Sequence, residues 1–401
     1  MGPIPPGFAG DEGLLIGRTD VETLIATAGG TPLFAYDGAR IEAQVVRLRA
    51  AFPREISLHY AVKANPYEPL LIQIAKLVDG FDIASAGELG RVAGLGLPIS
   101  FAGPGKRESE LEAALRAGVT LNLESEAEAD RALAVAGRIG VTAKLAIRVN
   151  PPFGLKGAGM RMGGLASPFG IDHDRVPALV RRLLAAGADW RGLHIYAGSQ
   201  SLAAEALVDA QCATLALAAS IATEAGAAPP ELNLGGGFGI PYFHGDRSLD
   251  VEAVGRGLAQ SLEALPPILR DTRLVIELGR WLVGEAGVYL ARVVDRKLSR
   301  GRTFLVTDGG LHHMLAASGN FGQLLRRNYP IANASRFAEE PCDEVTVAGC
   351  LCTPLDLLGD EVMLPRTQVG DLIAIFCAGA YGRTASPANF LGQPEPREIV
   401  V

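Results

Sequence analysis

No stretch of this sequence is apolar for long enough to read as a membrane span. The two most apolar long segments, 206–222 and 274–294, are interrupted by Asp209 and by Glu277, Arg280, Glu285 and Arg292. The first ten residues carry neither a basic n-region nor an apolar h-region, and Pro6 breaks a myristoylation pattern, so a soluble cytoplasmic protein with no membrane partner is the expectation. Basic charge is scarce too. Lys plus Arg number 37 against 44 Asp plus Glu, a net charge of −7, and no basic stripe is dense enough to neutralise a run of phosphates. Nucleic acid is therefore not an expected partner. The five cysteines, Cys212, Cys342, Cys350, Cys352 and Cys377, are few and odd in number for a chain of this length, which fits reduced thiols better than a disulfide framework. Their spacing offers no CxxC pair, so no metal site is expected. Glycine, at 49 of 401 residues, is in excess, and without a Gly-X-Y period it needs local explanations.

What is present is an alternation. Short β-branched or aromatic runs at 57–63, 80–85, 98–103, 118–124, 143–150, 192–197, 231–235 and 274–279 are separated by helix-like segments at 69–78, 108–117, 125–138, 174–186, 202–225 and 251–265. Eight strand-plus-helix units in about 250 residues predict an α/β chain built on a (β/α)₈ barrel, since each parallel strand needs a crossover that a helix supplies. A doubly wound sheet is the competing arrangement. Polar residues at the strand ends favour the barrel: Lys63, Asp82, Ser85, Glu124, Arg148, Asn150, Tyr196, Ser199, Glu277 and Arg280 would gather on one face. Beyond 283 the pattern changes to close-spaced strands at 287–295, 303–307, 344–348 and 371–376. The expected organisation is a barrel over 34–282 and a smaller C-terminal β-domain over 283–401, with 1–33 packing against that domain. The Gly-rich stretch 154–164 reads as a loop over the site.

Several of these residues suggest chemistry. Lys63, in AVKAN at a strand end among apolar neighbours, is placed to form a Schiff base with a carbonyl cofactor, although a strand-end lysine also serves as a plain solvated side chain. In GGGFG, Gly235, Gly236 and Gly237 can turn backbone N–H groups toward an anion, or simply make a tight turn. The next strand ends in ELGR, where Arg280 can clamp a phosphate and Glu277 can hold a pyridinium proton, or the two can form a surface ion pair.

With AVKAN at 61–65, GFDIAS-AGEL at 80–89, RVNP at 148–151, AGSQ at 197–200, GGGFG at 235–239, ELGR at 277–280, CTPLD at 352–356 and GAYG at 379–382, the chain resembles the fold-type III pyridoxal-phosphate decarboxylases of diaminopimelate, ornithine and arginine over about residues 30–390. The resemblance implies pyridoxal 5'-phosphate as cofactor and a homodimer with shared active sites. It makes Lys63 the residue that binds the cofactor covalently, sets Ser199, Gly237, Arg280 and Tyr381 on the phosphate, and counts Gly235, Gly236 and Gly279 among the cofactor-binding residues. It also puts Glu277 on the pyridine nitrogen, Tyr196 on the ring where relatives stack a histidine, and Cys352 across the dimer interface as a proton donor. Thr353, Asp356 and Tyr381 fall at substrate positions. His194 reads as a core histidine.

The departures from that pattern matter as much. Thr353 stands where those relatives carry an acid for a distal ammonium, and Ala316 marks the region where diaminopimelate enzymes carry an arginine. Segments 155–164, 308–330 and 352–359 are similar to a subgroup of natural-product and exopolysaccharide enzymes that includes glutamyl-[acyl-carrier-protein] decarboxylase. The resemblance therefore implies decarboxylation of an α-amino acid whose distal end is masked or carrier-bound, with Arg326 and Arg327 available to an acidic carrier or simply solvated. Diaminopimelate decarboxylation is the alternative, and a non-catalytic pyridoxal-phosphate-binding protein is a more distant one.

Overall fold

The computed structural model describes residues 1–401 apart from 11–12, 158, 322 and 324, and of 9, 10, 160 and 161 the backbone alone. Eight strands form a closed parallel barrel: β1 (Ser57–Ala61), β2 (Gly80–Ile83), β3 (Ile99–Phe101), β4 (Thr120–Leu123), β5 (Lys144–Asn150), β6 (Asp189–Ile195), β7 (Glu231–Asn233) and β8 (Arg273–Leu278). They follow one another around the ring, and the pairs β4–β5 and β8–β1 leave no open edge. Helices such as Glu108–Arg116, Glu126–Ile139 and Val251–Glu263 supply the crossovers. The expected barrel is thus the observed one.

Local chemistry shapes the strand-to-helix turns at the C-terminal ends of the strands. Ser85 and Ser125 cap their helices by accepting the amide N–H groups of Glu88 and Glu128 at 3.1 Å. Those glutamates reach back to Ala84 N and Glu124 N, which fixes the chain as it leaves β2 and β4. Glu124 then ties three elements together, accepting from Gly103 N, Arg148 Nη1 and Gly170 N at 2.6, 2.9 and 2.8 Å. Two of the polar residues expected at the barrel mouth, Glu124 and Arg148, thus brace the loops.

The sequence reading placed the start of β6 at Gly192, whereas the strand begins at Asp189 and bulges between Trp190 and Gly192. A Cβ at Gly192 would lie 1.8 Å from the carbonyl oxygen of Glu231, so this glycine marks a close backbone approach inside the strand. The helix Ala204–Ala225 is long and apolar enough to cross a membrane by length and composition, despite Asp209. In this fold it buries Leu207, Leu215, Ala218, Ile221 and Ala222 in the manner of a barrel-covering helix.

The chain divides into two compact units. The barrel unit holds Gln44–Gly239 and Ser248–Gly279, and the second unit holds Met1–Ala43, Ile240–Arg247 and Arg280–Val401. In the second unit the long strand Gly287–Ser299 is the organising element. Its first half pairs with Leu33–Tyr36 on one side and Leu372–Ile375 on the other, and its second half turns back against Arg302–Thr307. Phe8, Leu14 and Ile16 share a buried cluster with Leu33, Val288, Leu290, Leu372 and Phe376. Ile331–Asn333, Leu357–Leu364 and Arg397–Val400 are further strands that the sequence pattern left undetected.

Candidate active site

β1 delivers Lys63, but one step beyond the strand, in a single 3₁₀ turn over Val62–Ala64. The turn leaves the side chain 43% exposed while its stem leans into the barrel mouth, where Nζ lies 3.6 Å from Glu277 Oε1 and 5.7 Å from the centre of the Tyr196 ring. Glu277, near the end of β8, is 4% exposed. Its other oxygen, Oε2, lies 3.2 Å from His194 Nε2 on β6, close enough for attraction though not aligned as a hydrogen bond. Asp82 on β2, 2% exposed, completes the group and donates a hydrogen bond to Glu277.

Two buried carboxyl groups this close cannot both carry charge cheaply. Burial pushes the Asp82 carboxyl well up, and the charge of Glu277 pushes it further. Burial also opposes ionisation of Glu277, but Lys63, His194 and the Asp82 hydrogen bond outweigh it and hold Glu277 below the usual carboxylate range. Asp82 therefore carries the proton of the pair, and Glu277 is the carboxylate.

The glycine loop sits against this carboxylate. Leu278 and Gly236 crowd so closely that a Cβ at Gly236 would meet the Glu277 carbonyl oxygen at 2.0 Å. Gly237 has φ 87°, in the left-handed region, with the Gly198 carbonyl 2.6 Å from where a Cβ would be. Gly235 donates its N–H to Asn233 Oδ1 at 2.8 Å, and its carbonyl accepts Glu277 N–H at 2.9 Å. Gly279 packs on Ala64, beside Lys63. Ser199 is half-buried in a two-residue strand paired with Met160–Arg161. The stretch 154–164, expected to be a loop, thus contributes a short strand, and Leu155 N and Met162 N both donate to Ala197 O. Ala158 lies outside the described residues.

The second unit holds the other expected residues in two places. Arg280 donates from Nη1 to Tyr242 Oη at 2.9 Å, and its guanidinium lies 4.6 Å from the centre of the Tyr381 ring. Tyr381 has φ 53°, a conformation that a bulky residue adopts only when its surroundings impose it. Cys352 is exposed in the turn 350–356, and Thr353 Oγ1 accepts Leu355 N–H at 3.3 Å. Asp356, expected to meet substrate, has a different task. It is 2% exposed, with Oδ1 accepting from Leu311 N and Oδ2 from Leu351 N at 2.6 and 2.8 Å, so both oxygens are spent on holding the turn that carries Cys352. Among the described residues no three His, Cys, Asp or Glu side chains are grouped to hold a metal.

Sequence reasoning missed three members of these clusters. His194 is a partner of Glu277 rather than a satisfied core histidine, since neither ring nitrogen has a hydrogen bond. Asp82 was read only as a mouth residue. Tyr242 carried a faint signal, three residues past GGGFG, that nothing local distinguished from packing.

His59 on β1 adds a pH-dependent contribution deeper in the barrel. It is 2% exposed, pairs in register with Glu277, and its Nε2 lies 3.5 Å from Arg273 Nη2. Burial, then the Arg273 charge, lower its pKa to about 4. A histidine held neutral contributes stability above its unfolded pKa of about 6.5 and loses it as pH falls through the folded value. Urea unfolding is expected to show about 2–4 kcal/mol lost between pH 6.5 and 4 from this group, and His59→Gln should flatten that slope. An unchanged slope would show that His59 is not the titrating group.

Residues 38–284 match the family described as pyridoxal-dependent decarboxylase, pyridoxal binding domain. The chain is 37% identical to the L-glutamyl-[BtrI acyl-carrier protein] decarboxylase of Niallia circulans, over 92% of this chain and 88% of that one. It is 34% identical to a diaminopimelate decarboxylase of Neisseria meningitidis, over 94% and 91%. The crystal structure of diaminopimelate decarboxylase from M. jannaschii superposes with a TM-score of 0.87 at 26% identity, covering 98% of this chain and 91% of that one.

Proposed function

We propose that this chain, which belongs to the pyridoxal-dependent decarboxylase family and is a carboxy-lyase working with pyridoxal 5'-phosphate, removes CO₂ from an α-amino acid whose distal end is masked, of the glutamyl-carrier-protein type. The observation that carries the reading is Thr353. Its hydroxyl is engaged with Leu355 N–H, and no carboxylate stands there to grip a free distal ammonium. Ala316, 6% exposed, likewise offers nothing to a distal carboxylate. The similarity to a decarboxylase of a carrier-bound glutamyl group supports the same reading.

The residues present fit the cofactor. Glu277 Oε2 is a buried acceptor without a made hydrogen bond, suited to a ring N–H, and Gly236 and Gly237, where a Cβ would strike the Glu277 and Gly198 carbonyls, bring bare backbone close beside that carboxylate. When bound, the protonated ring supplies an electron sink for the pair left by departing CO₂. Lys63 would hold the aldehyde carbon, Glu277 the ring proton, and Tyr196 one ring face. Ser199, Gly237, Arg280 and Tyr381 would hold the phosphate, with Gly235, Gly236 and Gly279 beside the cofactor. Asp82, neutral, places a second carboxyl beside Glu277 without a second charge. Cys352, exposed on its braced turn, would return a proton to the substrate carbon, from a partner subunit in a homodimer. Cytoplasmic location belongs to the same proposal.

A hydrogen bond to a charged group is worth about 1.5–3 kcal/mol, so the lack of two distal contacts should cost free diaminopimelate about two to four powers of ten in kcat/KM. CO₂ release is expected to be poor with meso-diaminopimelate, ornithine and lysine and better with a glutamyl thioester on a carrier protein. Turnover of meso-diaminopimelate at about 10⁴ M⁻¹s⁻¹ or above would replace this substrate with the alternative.

A further inference from the structure

Arg280 is placed by tyrosines. Its Nη1 donates to Tyr242 Oη at 2.9 Å, and its guanidinium stands 5.6 Å from the Tyr242 ring centre and 4.6 Å from that of Tyr381. Tyr242 is itself immobilised. It is 3% exposed and its ring lies 4.7 Å from that of Tyr329, which is also buried. The Asp246 carboxylate accepts both Tyr242 N–H and Phe243 N–H through Oδ2, at 3.1 and 3.0 Å. Gly2 closes over the Tyr242 carbonyl so tightly that a Cβ there would be 2.0 Å from its oxygen.

A guanidinium presents five N–H donors in one plane, so fixing one nitrogen and one face fixes the direction of the rest. A lone arginine on a flexible stem would have to be ordered each time an anion binds, and that ordering weakens binding. Here the ordering is done in advance by a hydroxyl that no reacting group needs.

We infer that Tyr242 is a positioning residue for Arg280, holding the guanidinium so that its remaining N–H edge selects the phosphorylated cofactor over unphosphorylated pyridoxal. The inference rests on the reading that Arg280 meets the cofactor phosphate. Removing the Tyr242 hydroxyl leaves the charge in place but loosens its aim. The effect falls on the phosphate and spares the aldehyde and ring.

The test titrates cofactor-free wild-type, Tyr242→Phe, Arg280→Ala and double-variant proteins with pyridoxal 5'-phosphate and, separately, with pyridoxal, following the cofactor absorbance. Tyr242→Phe should weaken pyridoxal phosphate binding about tenfold, as expected for a hydrogen bond to a charged group, and change pyridoxal binding less than about twofold. Arg280→Ala should lower the preference for the phosphate further, and in that background Tyr242→Phe should add nothing. If Arg280→Ala leaves the preference intact, the phosphate reading of Arg280 fails. If Arg280→Ala abolishes it while Tyr242→Phe leaves it unchanged, or if Tyr242→Phe weakens both ligands equally or costs as much without Arg280, the positioning role is overturned.

Discussion

Lys63→Ala should abolish covalent capture of the cofactor and lower turnover by about three powers of ten or more, the range associated with losing a covalent catalyst. Borohydride treatment of the wild-type holoenzyme is expected to leave a pyridoxyl group on Lys63 and on no other lysine, readable by peptide mass. The geometry behind this is specific. The 3₁₀ turn after β1 puts Nζ 3.6 Å from Glu277, the ionised member of the Glu277–Asp82 pair, and beside the Tyr196 ring. Lys63 is also the largest favourable influence holding Glu277 ionised, so the variant should bring the Glu277 titration up toward the ordinary range. Capture of the cofactor on another lysine in Lys63→Ala would move the assignment elsewhere.

Glu277→Gln carries the second large effect. The amide keeps the shape of the side chain and removes the charge, so a ring proton held there loses a charge-assisted hydrogen bond. At about 1.5–3 kcal/mol this corresponds to roughly a 10- to 150-fold fall in kcat. Asp82→Asn, three positions into a neighbouring motif, should by contrast stay within about threefold, because an amide resembles the protonated carboxyl already present. The two carboxyls also have opposite linkage to stability. Glu277, with its folded pKa lowered, stabilises above its unfolded value near 4.5 and loses that contribution as pH falls. Asp82, with its folded pKa raised, stabilises below about 3.8 and loses the contribution as pH rises through its folded value. Equal losses of turnover in the two variants would contradict the assignment of the shared proton to Asp82.

How far the site was legible depended on whether its signal was local. Lys63 and Glu277 announce themselves because a polar residue closing an apolar strand is a pattern within a few positions. That Lys63 sits in a turn past the strand, rather than in it, was not legible: AVKAN continues the apolar run, and only the barrel ends the pairing at Ala61. Asp356 was misread for the opposite reason. Its position in a motif suggested substrate, while its partners, Leu311 N and Leu351 N, include one 45 residues away that no local pattern reveals.

The sequence by itself determined the number and order of the barrel strands, because alternation of short apolar runs with helical spacing is written residue by residue and several crossover helices are capped by their own neighbours, as at Ser85 and Ser125. Tertiary structure alone decided which side chains meet. His194 comes to Glu277 from β6, two strands around the ring, and Asp82 comes to it from β2 on the far side of β1. Tyr242 reaches Arg280 because 240–247 joins the second unit while its flanks stay with the barrel. Periodicity sets the face that a strand turns inward, whereas register and closure set the partner it finds there, and those are properties of the whole ring.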